Sequence, residues 1–250
     1  MKRLKYAVIL LLGLSMTFMV SCTKDPNNGG NGGGNGGGNN SGGGGNGTYN
    51  GHEYVDLGLP SGTLWATCNV GANTPDSIGD YIAWGETEQK VYGDYDWSTY
   101  KYFSGGLTKY CTNVEYGAHG FCDNLTVLQA EDDAATANWG DGWCTPTKEQ
   151  YMELLNNTDF SYATLNGVDG RLFTASNGNN IFFPGGGYRR NTSLYGRRNT
   201  YYWSSTLHET FELGEGCAWA FMGKAFVDGG QDSYLERYIG VPVRPVRSNH

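Results

Sequence analysis

Beyond its first twenty residues this chain has no apolar run long enough to cross a bilayer, and it is short of positive charge. Seventeen Lys and Arg stand against 25 Asp and Glu, a formal −8. That balance argues against nucleic acid or anionic lipid as a partner of the whole surface and favours neutral or cationic partners, or a local basic patch acting alone. Histidine is scarce. His52, His119, His208 and His250 are scattered, without the spacing of a metal site or a catalytic triad. Cysteine is present in an awkward number: Cys68, Cys111, Cys122, Cys144 and Cys217 follow an early Cys22, and with that first cysteine set aside the five are odd, so at least one stays unpaired or pairs between chains. Spacing does not dictate their pairing. The expected arrangement joins Cys122 to Cys144 and Cys68 to Cys111, and leaves Cys217 as an inert buried thiol beside Trp219.

What is present begins with a processing signal. Lys2, Arg3 and Lys5 precede an apolar run from Tyr6 to Leu14, and Val20-Ser21 precede Cys22. A basic start, a short apolar stretch and small residues before a cysteine read as a secretory signal whose Cys22 resembles the lipid-modified cysteine of a bacterial lipobox. Residues 1–21 would then be removed, leaving 14 Lys and Arg against 25 acids, a formal −11. Residues 22–48 read as anchor and tether. Thirteen of the 40 glycines lie between Gly29 and Gly47, and such a segment cannot bury apolar surface. Its root-mean-square reach is about 26 Å. Residues 49–250 are long enough for one domain with a sizeable core.

Within that domain, His52–Leu57 and Thr63–Val70 read as short strands around a Leu59-Pro60-Ser61-Gly62 turn. Residues 85–124 show no sustained period and read as loop. Acids at Glu131–Asp133 suggest a short helix within 125–138. The clearest helix is Lys148–Leu155, with Thr147 as N-cap and Gln150 completing a capping box. Asn166-Gly167 and Asn177-Gly178 are hairpin dipeptides that call for positive φ. Tyr201–Ser205, Ala218–Phe221, Lys224–Val227 and Val241–Val246 read as later strands. Helices early and strands late point to an α+β domain.

Several segments, taken in order, carry a resemblance. They are Tyr54–Thr67 (YVDLGLPSGTLWAT), Gly79-Asp80-Tyr81 with Ala83–Glu86, Pro146-Thr147, Tyr202–Ser205 and Val243–Val246. Together they resemble the Fibrobacter succinogenes major paralogous domain, found on exported lipoproteins of Bacteroidetes-type bacteria. The resemblance implies a C-type-lectin-like fold, similar to formylglycine-generating enzymes and to variable proteins of diversity-generating retroelements, with the N- and C-terminal strands paired. It also implies that Tyr188–Val241 forms the ligand surface, diversified in some relatives. The Glu-Pro-Asn, Gln-Pro-Asp and Trp-Asn-Asp triplets that hold calcium in sugar-binding lectins do not occur, and Asp228–Asp232 and Asp132-Asp133 read as a solvated turn and a helix start, so no metal and no cofactor are expected. The reactive cysteine pair of the formylglycine-generating enzymes is also missing around Cys217, and no catalytic residue is assigned.

Residues 184–240 hold the most unusual local chemistry. Tyr188-Arg189-Arg190-Asn191, Tyr195, Arg197-Arg198 and Tyr201 interleave arginine with aromatic rings, and four of the 14 cations fall within ten residues. Arginine grips carboxylate, sulfate or phosphate with two parallel hydrogen bonds and stacks on flat faces. His208, Phe211, Tyr234, Arg237 and Tyr238 extend this set of expected ligand contacts. The competing reading is a basic loop neutralised by Glu209, Glu212 and Glu215. The function expected is a lipid-anchored receptor or adhesin of the outer membrane, facing outward, that recognises a protein or glycan of host, bacterium or phage, with the membrane touched only through the lipid. A structural envelope or fimbria-associated subunit and an extracytoplasmic enzyme are the alternatives.

Overall fold

A computed structural model of the chain describes residues 45–90, 94–208, 216–223 and 231–248. They form a sheet-rich α+β domain of short strands with two small α-helices. Strands β1 (Gly47–Tyr49), β2 (His52–Asp56), β3 (Thr63–Ala66) and β12 (Val246–Ser248) make one sheet in the order β1-β2-β3-β12. The two ends of the domain therefore meet, with Val246 opposite Trp65. The expected strand 241–246 is almost entirely irregular. Its backbone is spent on separate bonds, from Val70 N–H to Val243 O and from Ala66 N–H to Pro245 O. The ordered domain also starts earlier than the composition suggests, since Gly47 and Thr48 pair with Tyr54 and Glu53.

The centre is a three-stranded sheet of β9 (Thr200–Leu207), β10 (Cys217–Gly223) and β11 (Gln231–Glu236), with β10 in the middle. Both faces of β9 and β10 are covered, which explains why their sequences are continuously apolar or small rather than alternating. Trp203, Leu207, Ala218 and Ala220 face one core with Ile82, Trp84, Tyr110 and Val243. Tyr202, Trp219 and Phe221 face a second core with Trp65, Tyr151, Phe173 and Phe183. Each such ring removes about 150–250 Å² from water, so this sandwich of aromatics dominates the burial.

Helix α2 (Lys148–Asn157) closes the second core with Tyr151 and Leu154. Its start is as the sequence dictates: Thr147 accepts from Gln150 N–H while the Gln150 side chain accepts from Thr147 N–H. The shorter α1 (Ala134–Trp139) is capped by Asp133, which accepts from Ala135 and Thr136. A single turn of 3₁₀ helix, Ala130–Asp132, leads into it.

A third sheet, β4 (Thr158–Leu165), β5 (Val168–Ala175) and β6 (Asn180–Pro184), flanks the second core. The β4–β5 turn has φ +51° at Asn166 and +84° at Gly167, the primed geometry that suits strand twist. At the β5–β6 turn only Gly178 is left-handed; Asn177 instead accepts from Asn179 N–H and donates to Asp56 O. Residues 94–124 contain no strand, as expected, apart from single bridges such as Leu107 with Gly117. Finally β7 (Tyr188–Arg190) and β8 (Ser193–Tyr195) form a separate small hairpin. The strand expected at 224–227 and Phe211 lie outside the described residues, as do Cys22 and the signal. No helix among the described residues is long and apolar enough to cross a membrane.

The expected disulfides are not made. Cys68, Cys111 and Cys122 all carry thiols, so neither the Cys122–Cys144 nor the Cys68–Cys111 bond is present. Cys217 is buried, as expected, and burial pushes its thiol up to about 11 with help from the nearby Glu236 carboxylate. A thiol held protonated at neutral pH is a poor nucleophile.

Candidate ligand-binding hairpin

The hairpin β7–β8 is built around a stack. Tyr188 and Tyr195 are cross-strand partners, and their rings lie 5.4 Å apart at 19°. Tyr201 meets Tyr188 edge-on at 5.1 Å and is itself 93% buried against the first core. Tyr188 is thus the middle plate, rooted from below, and Tyr195 is the outer plate with 45% of its surface exposed. A second anchor is the backbone. Arg189 N–H donates to Gly240 O and Gly240 N–H returns the bond, while Asn191, at φ +48°, donates its N–H to Tyr95 O.

The three glycines before the hairpin explain how it sits so close. At Gly187, φ is +68° and a Cβ would lie 1.9 Å from Tyr195 O; at Gly186 one would lie 2.5 Å from Ile78. The Tyr81 hydroxyl, beneath, donates to Gly186 O at 2.6 Å.

The four arginines divide. Arg189 lays its guanidinium 4.9 Å over the Tyr81 ring. Burial pushes the Tyr81 phenol up, and Arg189 and Arg197 oppose that rise. Arg190 pairs with Glu236 at 3.2 Å and lies over Tyr238 at 5.7 Å, so it ties the hairpin to the end of β11. Arg197 and Arg198, on the turn after Tyr195, are exposed. Arg198 meets Asp169 at 3.5 Å, a half-solvated contact worth about 0–1 kcal/mol. Among the described residues Arg197 makes no ion pair. The presented surface is therefore Tyr195, Arg197 and Arg198, with Asn191 and the Glu236-paired Arg190 exposed at the other end of the hairpin.

Three of the expected contacts are corrected by burial. Arg237 is completely buried; it donates to the carbonyls of Lys109 and Tyr110 and lies over Trp84 and Tyr100. Tyr238 is 4% exposed, packed on Trp97, and Tyr201 is the root of the stack. His208 and Tyr234 do meet, ring to ring at 4.5 Å. They belong to another surface, because Tyr234 pairs with Trp219 on the face of the sheet opposite Tyr201. Glu209, Glu212 and Glu215, expected to neutralise the patch, lie outside the described residues; Glu236 and Asp169 are the acids observed on it. Sequence reasoning missed Tyr81 and Glu236, because nothing near them in the chain marks a distant hairpin. The run Gly185-Gly186-Gly187 is a signal that points to close backbone approach.

Elsewhere, buried Asp132 gathers Tyr102, Tyr110, Lys101 and Lys109. Burial alone would raise its carboxyl, but the hydrogen bonds from Lys109, Tyr102, Tyr110 and Lys101 outweigh that and hold it below the usual range. In Asp133 next door burial wins over bonds from Thr145 and α1, and its carboxyl is raised. No group of three His, Cys, Asp or Glu among the described residues is arranged to hold a metal ion.

No family model, no curated protein and no solved structure matches this chain.

Proposed function

We propose that this chain is a lipid-anchored, outward-facing outer-membrane protein whose β7–β8 hairpin recognises an acidic glycan. The observation that carries the reading is the pairing of a rigid, half-exposed Tyr195 plate with two presented arginines. A flat phenol offers one face to the C–H face of a sugar ring, and its rotamer is fixed by Tyr188, so little entropy is lost on binding. Arg197 and Arg198 supply forked donors for a carboxylate or sulfate on that sugar. The lipobox-like Cys22 and the glycine-rich tether supply the anchor and the reach. The resemblance to C-type-lectin-like domains is supported by the meeting of β3 with β12 and by the strand-free residues 94–124. An enzyme of the formylglycine-generating type is disfavoured by the raised, buried Cys217.

The test is binding of the whole protein to an array of neutral, carboxylated and sulfated glycans at low and high salt. Retention on acidic glycans that weakens with salt and is lost in an Arg197→Ala, Arg198→Ala double variant is expected. Equal binding to neutral glycans, or binding indifferent to both arginines, would overturn the reading. Assembly of the purified protein without any ligand would favour the structural-subunit alternative.

A further inference from the structure

The loop from Cys111 to Cys122 is pinned at its neck from three sides. The Asp123 carboxylate accepts from the amides of Tyr110 and Cys111 at 2.8 and 2.9 Å. The Cys111 carbonyl accepts from the amides of Asp123 and Asn124, both at 3.0 Å. From inside, buried Arg237 donates to the carbonyls of Lys109 and Tyr110. One bond therefore runs from the residue after Cys122 to Cys111 itself. With ordinary backbone lengths this keeps the two Cα atoms within about 8 Å, a bound that takes in the disulfide range. The neck also holds strained turns, with φ +57° at Tyr110 and +58° at Asn124. The loop it closes carries exposed apolar groups at Val114, Tyr116 and Phe121. The other thiols sit elsewhere: Cys68 follows β3, and Cys217 opens β10 opposite Glu236.

We propose that Cys111 and Cys122 are a disulfide site that clasps this loop when the protein meets an external disulfide. The half-buried Cys122 reacts first. Its thiolate attacks the external disulfide, forms a mixed disulfide and expels one thiolate. The Cys111 thiolate then attacks Cys122 Sγ, closes the Cys111–Cys122 bond and expels the second. The two cysteines give up two protons and two electrons, and the external disulfide becomes two thiols.

The test treats the native whole protein with oxidised glutathione, quenches in denaturant with iodoacetamide, and digests with trypsin and a Glu-specific protease. Cleavage after Lys109, Glu115 and Glu131 separates the two cysteines into peptides 110–115 and 116–131. The expected product is these two peptides cross-linked, about 2 Da lighter than their thiol forms together, with loss of both alkylation sites and their return after reduction. A Cys122→Ser variant should lose the cross-link and leave Cys111 alkylated, while Cys217 is alkylated throughout. Full alkylation of both cysteines after oxidation, or linkage of either to Cys68 or Cys144, would overturn the proposal.

Discussion

Arg244 and Arg197 carry the same charge on the same side chain and do opposite work. Arg244 is wholly buried. Its guanidinium donates to Asn69 Oδ1 at 2.7 Å and to the carbonyls of Ala66, Thr67 and Phe182, each at 3.0 Å, and it lies 4.6 Å over the Phe183 ring. It ties the sheet that joins the chain ends to the β6 strand. Burial pulls its pKa down from the ordinary arginine value, yet the fixed carbonyls replace most of the lost water. Arg197 makes no ion pair among the described residues and is held out by a hairpin that other residues anchor. Arginine is thus a rivet where rigid acceptors converge and a contact where the backbone turns outward. What separates the two is the environment that distant segments build.

The difference can be broken at its strongest point first. Arg244→Met strands four acceptors, three of them buried and the Thr67 carbonyl half-buried, and is expected to cost about 3–5 kcal/mol, lowering Tm by about 10 °C in a thermal melt. Arg237→Met should cost less, about 1–3 kcal/mol, because two of its buried nitrogens find no hydrogen-bond partner among the described residues and the guanidinium rests against aromatic rings. Equal losses at the two sites would dissolve the ranking.

Next comes the platform. Gly187→Ala forces a Cβ into Tyr195 O at a left-handed φ, and should cost about 1–3 kcal/mol while abolishing glycan retention. Unchanged retention would mean that the hairpin's seat is irrelevant to binding.

Asp132 sharpens the contrast through pH. Its folded pKa lies below the unfolded value near 4, so its contribution is present above about pH 4 and is lost as pH falls through the folded pKa. Asp132→Asn should therefore lower stability at neutral pH and flatten its fall in acid, read from denaturant midpoints between pH 7 and 2. Asp133, raised by burial, works in the other direction and offsets part of the fall in acid equally in parent and variant.

The smallest effect is expected where the sequence looked most unusual. The Arg197→Ala, Arg198→Ala double variant should leave stability within about 0.5 kcal/mol of the parent, because both side chains are exposed and, among the described residues, Arg198 alone of the two has an ion-pair partner, a solvated one.

Much of the scaffold was legible in the chain, for local reasons. The capping box at Thr147 and Gln150 and the Asn166-Gly167 turn depend only on neighbours in sequence. The meeting of an early strand, β3, with the late strand β12 followed from the resemblance. The candidate site was half legible. Tyr188, Tyr195, Arg197 and Arg198 come together because a short hairpin keeps local order. Arg237 and Tyr238 share the same palette of arginine and tyrosine, yet they sit in the core because Trp84, Trp97, Tyr100 and Tyr110 pack over them. The cysteine pairs failed for a related reason: spacing says nothing about a neck built by Asp123 and a distant arginine. Among the described residues of 188–241, most of β9 and β10 and residues 237–241 are buried, so variation tolerated in those described residues should concentrate on the hairpin.

The central claim is that two presented arginines and one stacked tyrosine bind, while the buried arginines only support. The most direct measurement is the salt dependence of retention on a sulfated-glycan surface for the parent, the Arg197→Ala, Arg198→Ala variant and Tyr195→Ala, each with its melting curve. The account predicts that the parent's retention falls steeply with salt, that the double variant loses retention with an unchanged Tm, and that Tyr195→Ala loses retention while its remaining binding keeps the parent's salt slope. Parent-like retention and slope in the double variant would contradict it.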